Sequence, residues 1–141
     1  MILKLLKQIF FSKLGPFSMN GRRNRKSFFL TNFLINVIEN TIIKAASPDP
    51  NVIITILILL TSYLLFVNTS KRLHDLNHSG WFAIVVCIPN LIYLFSTTLV
   101  SQYLYDLIAL ILIPFHLYIL FKKGRSGSNY YGPDPLEKKV D

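Results

Sequence analysis

His74 and His78 lie four residues apart with Asp75 between them. On a helix, that spacing puts both imidazoles on one face, where they can share a metal ion. A zinc site needs at least a third ligand, and the only other histidine, His116, falls in a distant apolar run. The single cysteine, Cys87, lies inside another apolar run, which excludes an intrachain disulfide and a cysteine cluster. Gly80 follows closely enough to end the helix before His78 and undo the spacing. The sequence therefore predicts no metal and no other cofactor. His74 and Asp75 would also serve as an acid–base pair in a membrane-embedded lipid-modifying enzyme. That chemistry needs a nucleophile or a metal beside them, and only Ser79 and the tail offer one.

The same stretch suits anion chemistry better. Arg72 and Asp75 are three apart and Lys71 and Asp75 four apart, so they pair on one helical face. Together with Arg22, Arg25 and His74, Arg72 would hold an anion such as a lipid phosphate, because guanidinium binds phosphate through two parallel bonds. The plainer reading is a structural knot in which Asp75 and Asp134 pair with arginines and pin separate segments together. The two readings are compatible. The tail stretch "GRSGSNYYGPDP" has glycines but no helix start behind them and no lysine–serine ending, so it is not a nucleotide-phosphate loop. It reads as chain folded back over neighbouring loops, with Asn129 and Asp134 making turn bonds and Tyr130 or Tyr131 at the interface.

Glu39 is the one acid well inside an apolar run. A carboxylate there should be neutral, paired or facing water. It is expected to link to Asn36 and Asn40, or to lie near the outer face beside Lys44; a proton relay is the sharper alternative. His116 reads as a hydrogen-bonded interior residue.

These residues sit between elements built for lipid. The chain has 141 residues, 52% hydrophobic and only 16% charged, where a soluble domain carries about a quarter. Residues 1–16 place Ile2, Leu5, Leu6, Ile9 and Phe10 on one helical face with Lys4, Lys7 and Gln8 opposite. That pattern predicts an amphipathic helix in the headgroup layer rather than a cleaved leader, since lysines interrupt the apolar run; packing on the protein's own core is the alternative. Four spans are expected, at about 28–46, 51–69, 81–100 and 103–121. The first carries Asn32, Asn36, Glu39 and Asn40 as one stripe turned toward neighbouring helices. Pro89 and Pro114 should kink the third and fourth. Ser79 would cap the start of the third, Gly80 permits the bend before it, and Trp81 would mark its entry into the bilayer. Residues 17–135 form the membrane domain with its loops, and 136–141 a C-terminal tail.

Charge orients the spans. The net charge is +8, yet the cations form no basic helix, which argues against nucleic acid. Seven precede the first span, Lys71 and Arg72 follow the second, and five follow the fourth; only Lys44 lies near the other side. An even number of crossings gathers fourteen of the fifteen on one face, the cytoplasmic one by the positive-inside rule. Both termini are then cytoplasmic.

Three motifs taken together resemble a known family. They are "GRRNR" (Gly21, Arg22, Arg25), "RLHDLNHSGW" (Arg72, His74, Asp75, Ser79, Gly80, Trp81) and the tail motif (Gly124, Gly127, Asn129, Tyr131, Gly132, Asp134). They match, in order and between apolar runs, the small bacterial inner-membrane family catalogued as domain of unknown function 805. The likeness covers about residues 17–135. It departs at Met19, Ser27, Phe29, Lys71 and Phe82, and His78 lies outside the pattern. The resemblance implies a polytopic inner-membrane protein and no particular activity.

The fold class expected is all-α: a polytopic membrane four-helix bundle with an N-terminal interfacial amphipathic helix and an irregular cytoplasmic tail. The function expected is non-enzymatic binding of anionic lipid headgroups, a protein partner or a second copy through the basic cytoplasmic cap. A small oligomeric transporter or channel subunit is the alternative.

Overall fold

A computed structural model of the chain describes residues 15, 17–45, 51–95 and 102–137. The expected amphipathic helix at the N-terminus and the tight turn at Ser101–Gln102 fall wholly or partly outside them. Among the described residues the fold is all-helical, with no strand. In order the elements are α1 (Arg25–Ala45), α2 (Val52–Asp75), a 3-10 helix η1 (Gly80–Cys87), α3 (Ile88–Phe95) and α4 (Gln102–Phe121).

Local chemistry sets the ends. The Asn24 side chain accepts from Ser27 N at 2.9 Å and the Asn51 side chain from Ile54 N at 3.1 Å, capping the starts of α1 and α2. The other end of α2 is a Schellman turn. Asn77 N–H donates to His74 O at 3.0 Å and His78 N–H to Leu73 O at 2.9 Å, with Asn77 left-handed at φ 63°. The helix thus stops after Asp75 and the chain reverses.

α2 is the central element, packed against α1 on one side and η1 on the other. Its two halves differ. Val52, Ile53, Ile56, Leu59, Leu60 and Tyr63 are exposed, whereas 65–75 is buried on all sides. The 3-10 helix packs because of its period of three: Gly80, Ala83 and Val86 are buried, and Trp81, Phe82 and Ile84 are exposed. Small residues on the inner face allow close approach to α2. The core joins Phe28 and Ile35 of α1, Leu65, Phe66, Val67 and Leu73 of α2, Ala83 and Val86 of η1, and Ile119 of α4.

Two local expectations are corrected. The third apolar segment is not one helix kinked at Pro89 but η1 followed by α3, with Pro89 second in α3. There its missing N–H would have had no intrahelical partner. The inward stripe of α1 is Phe28, Thr31, Ile35 and Glu39; Asn32 and Asn36 flank it half-buried, and Asn40 is exposed. Glu39 belongs to both stripes and Asn32 and Asn36 line a cleft within the bundle beside it, so it is Asn40 that leaves the expected inward face.

α2, with 24 residues, is the one described helix both long and apolar enough to cross a bilayer. Gly80–Leu94 and Asp106–Phe121 are apolar but shorter.

If the inner face of η1 sets the packing, Ala83→Leu overfills it and lowers stability by about 1–3 kcal/mol. Ile84→Leu, on the exposed side, should stay within about 0.5 kcal/mol. Unfolding in mild detergent measures both.

Candidate functional site

Arg72 is fully buried, at 0% exposure, one turn before the end of α2. Its Nε donates to Ile119 O at 2.7 Å, and one terminal nitrogen donates to Lys122 O. Ile119 O is among the last carbonyls of α4, which have no intrahelical partners and carry the negative end of the helix dipole, and Lys122 O lies one residue past the helix end. The other terminal nitrogen meets Asp75 Oδ2 at 2.5 Å. Asp75 Oδ1 pairs with Arg22 at 3.0 Å. Arg22 also donates to the carbonyls of Gly127 (2.5 Å) and Gly132 (3.4 Å) and to Arg125 O. The Arg125 N–H in turn donates to Asp75 O at 2.9 Å.

One carboxylate thus holds two guanidiniums, and each guanidinium holds the backbone of another segment. A Cβ on Gly124 would collide with the Asp75 carboxylate, so the chain there must be glycine for the tail to approach. A buried ion cluster of this kind is tolerable only when its remaining donors are satisfied, as these are.

His74 forms the second part of the clasp. Its Nδ1 donates to Gly21 O at 3.1 Å, and its ring stacks on Tyr131 at 3.8 Å and 3°. The other side of the ring is closed by Gly80, where a Cβ would sit 2.6 Å from Nε2. Asn129 Nδ2 donates to His74 O at 2.8 Å, and Asn129 and Gly132 exchange two backbone bonds in a tight turn. Burial lowers the His74 pKa from its ordinary value, with Lys71 adding repulsion and the Gly21 bond opposing. Burial, with Arg23 adding repulsion, also brings Lys71 down to about 8. Lys71 Nζ donates to Gly15 O at 2.8 Å.

The clasp therefore brings together Gly21, Arg22, Arg72, His74, Asp75, Gly80, Asn129, Tyr131 and Gly132. Other motif residues do different work. Asp134 makes no ion pair of 4 Å or less among the described residues; its oxygens accept from Gly127 N and Leu136 N, closing a turn. Arg25 is exposed and reaches Phe121 O at 3.4 Å. Ser79 precedes η1 without a side-chain capping bond. Trp81 is 71% exposed. His78, beyond the Schellman turn, bonds Tyr118 Oη at 2.9 Å, so the two histidines share no helical face and no common centre.

Sequence reasoning missed the layer just beneath. Arg23 donates to Asn68 Oδ1 at 2.6 Å, Asn68 donates to Phe28 O at 3.2 Å, and Ser70 Oγ donates to Gly80 O at 2.9 Å. The run Asn68-Thr69-Ser70 directly before Lys71 was the available signal.

Deeper in the bundle, Glu39 Oε1 accepts from Thr61 Oγ1 at 2.7 Å and Asn90 Nδ2 at 2.6 Å. Asn90 also donates to Ser62 Oγ at 2.8 Å. Glu39 does not bond Asn36 or Asn40, whose amides donate to Asn32 O and Asn36 O of their own helix. His116 bonds Leu112 O at 2.9 Å.

An all-helical, largely apolar protein clasped by three motifs is the class that fold and site define. The family model described as a protein of unknown function (DUF805) matches residues 16–133, and the chain belongs to that family. No curated protein and no solved structure matches the chain.

Asp75→Ala leaves two buried guanidiniums without their anion and should cost about 3–5 kcal/mol, read by detergent unfolding. The His74 shift has a defined sign. Its folded pKa lies below the ordinary value of 6.5, so the unfolded chain takes up a proton first as pH falls. The stability this contributes is present above about pH 6.5 and is lost on acidification toward the folded value. Melting curves from pH 7.5 to 5.5 should show a decline that His74→Gln reduces.

Proposed function

We propose that this is a non-enzymatic integral protein of the bacterial inner membrane, crossing four times through α1, α2, the η1–α3 unit and α4. Both termini and the clasp lie on the cytoplasmic side, where exposed cations around the clasp bind anionic lipid headgroups. The clasp itself is structural: Arg22 and Arg72 already direct their donors at Asp75 and at carbonyls.

The observation that carries the reading is a sheath of exposed apolar side chains ending at a cationic rim. Phe29, Phe33, Ile56, Leu60, Ile84 and Leu110 are all exposed, far more apolar surface than a soluble monomer of this size leaves to water. The clasp supports the parity of the crossings. It joins the start of α1, the end of α2 and the end of α4, so a bilayer crossed by α2 leaves these three ends on the same side. The charged end of α2 lies past its apolar part at 51–69.

A pocket of about 70 Å³ beside the clasp is lined by Arg25, Lys123 and Arg125 together with Arg72, Asp75 and Asp134, and by Asn24, Gly124, Ser126 and Leu136 between them. Arg25, Lys123 and Arg125 are exposed there, giving uncrowded donors suited to a phosphate.

Two experiments test this. Single cysteines replacing Lys26 and Ser126 should be labelled by a membrane-impermeant reagent only from the cytoplasmic side, and one at Pro48 only from the opposite side; any other pattern ends the four-crossing reading. Native mass spectrometry should find phosphatidylglycerol retained over phosphatidylcholine. Lys123→Ala with Arg125→Ala should weaken that retention by about 1 kcal/mol per cation with little change in melting temperature. Unchanged retention would point instead to a protein partner at the rim.

A further inference from the structure

A second polar feature lies far from the clasp. All four helical units line an open-sided cleft of about 450 Å³ within the bundle. Its polar residues are Asn32, Asn36, Glu39, Asn90 and His116, and its apolar walls include Phe29, Phe33, Leu65, Val86 and Leu112. Glu39 is six residues from the end of α1, roughly 9 Å along the axis.

Several hydrogen-bond acceptors of this cleft are left uncommitted. Asn36 commits its amide N–H to Asn32 O, which leaves its Oδ1 uncommitted. A carbonyl only accepts, so the His116 nitrogen facing Leu112 O must carry a proton, and in the neutral ring Nε2 is then an acceptor. Asn32 Oδ1 is buried without a partner. Asn90 turns its N–H groups to Glu39 and Ser62. Both bonds to Glu39 arrive on Oε1, and Oε2 receives none among the described residues. Acceptors therefore remain in the cleft, alongside the second N–H of Asn36 and the amide N–H groups of Asn32.

Glu39 itself is 5% exposed, and among the described residues no lysine or arginine stands within 4 Å of it; the two ion pairs there both belong to Asp75. A buried carboxyl group is held neutral unless a cation is brought to it, and it can then ionise as that cation's partner. A bare metal ion would leave most of the volume unfilled, and its apolar walls offer such an ion no ligands. Phe29 and Phe33, stacked with centroids 6.4 Å apart, add ring faces that attract cations.

We infer that the intramembrane cleft is a binding site for a small organic cation, an amine carrying N–H donors on an apolar body, with Glu39 as its counter-ion. Asn32, Asn36 and His116 accept the ammonium's remaining hydrogens, and the aromatic and aliphatic walls take the hydrocarbon. The site is independent of headgroup binding at the clasp, so either can fail alone.

The full-length protein in nanodiscs is titrated with protonated phenethylamine and with 2-phenylethanol, which has similar size and a neutral head, each measured above its partition into protein-free nanodiscs. The expected result is saturable amine binding about tenfold tighter than alcohol binding, weakened about tenfold by Glu39→Gln. If that variant does not assemble, Asn36→Leu removes one acceptor while leaving the Glu39 bonds to Thr61 and Asn90, and amine affinity should fall several-fold relative to the alcohol. Equal binding of amine and alcohol, an amine affinity unmoved by the substitutions, or no saturable amine binding overturns the inference.

Discussion

A guanidinium cut off from water must find every partner inside the protein, or its desolvation goes uncompensated. Arg72 meets that condition by reaching across to the end of α4, whose last carbonyls would otherwise lack donors. Two deficits, a buried cation and an uncapped helix terminus, cancel each other. Asp75 balances the remaining charge and in doing so recruits Arg22 from the opposite end of the chain. The tail then has a defined place, because Arg22 holds the carbonyls of Gly127 and Gly132, and Arg125 N–H holds Asp75 O. Arg72 thus ties the end of α4 to α2, and through Asp75 it ties Arg22 and the segment around Gly124–Gly132 to the same point.

The arrangement divides α2 along its length rather than around its circumference. Its N-terminal half presents apolar side chains outward, while its C-terminal half is enclosed by the loops and by η1 and carries Asn68, Ser70, Lys71, Arg72, His74 and Asp75. Charge can be concentrated there because neighbouring backbone satisfies it. Glycine makes the enclosure possible at two points: Gly80 leaves room for the His74 ring, and Gly124 for the Asp75 carboxylate. The Glu39 layer follows a different rule. Its donors come from side chains, Thr61 and Asn90, and it borders a cleft rather than a closed interior.

Periodicity and charge made the helical class and the apolar segments legible in the sequence, and the order of the three motifs made the family legible. The Arg72–Asp75 pair was readable because both residues lie on one helix three apart, where geometry is local. Asp134 was not: as a tail acid it suited an arginine partner, but the tail's own turn offered two backbone N–H groups nearer to hand. Pro89 was legible as a helix disturbance but not as a second-position proline, because a change from 3-10 to α geometry has no separate sequence signal.

The sequence by itself determined what is local: the Arg72–Asp75 pair three residues apart, a helix stop near the glycine that follows His78, and the gathering of cations at the ends of the apolar segments. Only the tertiary structure decided which carbonyls Arg72 would reach, that Arg22 would share Asp75 while Asp134 turned to its own loop, that His74 would stack on Tyr131, and that Glu39 would turn to Thr61 and Asn90. Those partners are 22 to 57 residues apart in the chain. Periodicity and spacing carry no information over such separations, because it is the packing of Phe28, Val67, Ala83 and Ile119 into one core that brings the polar groups within bonding distance.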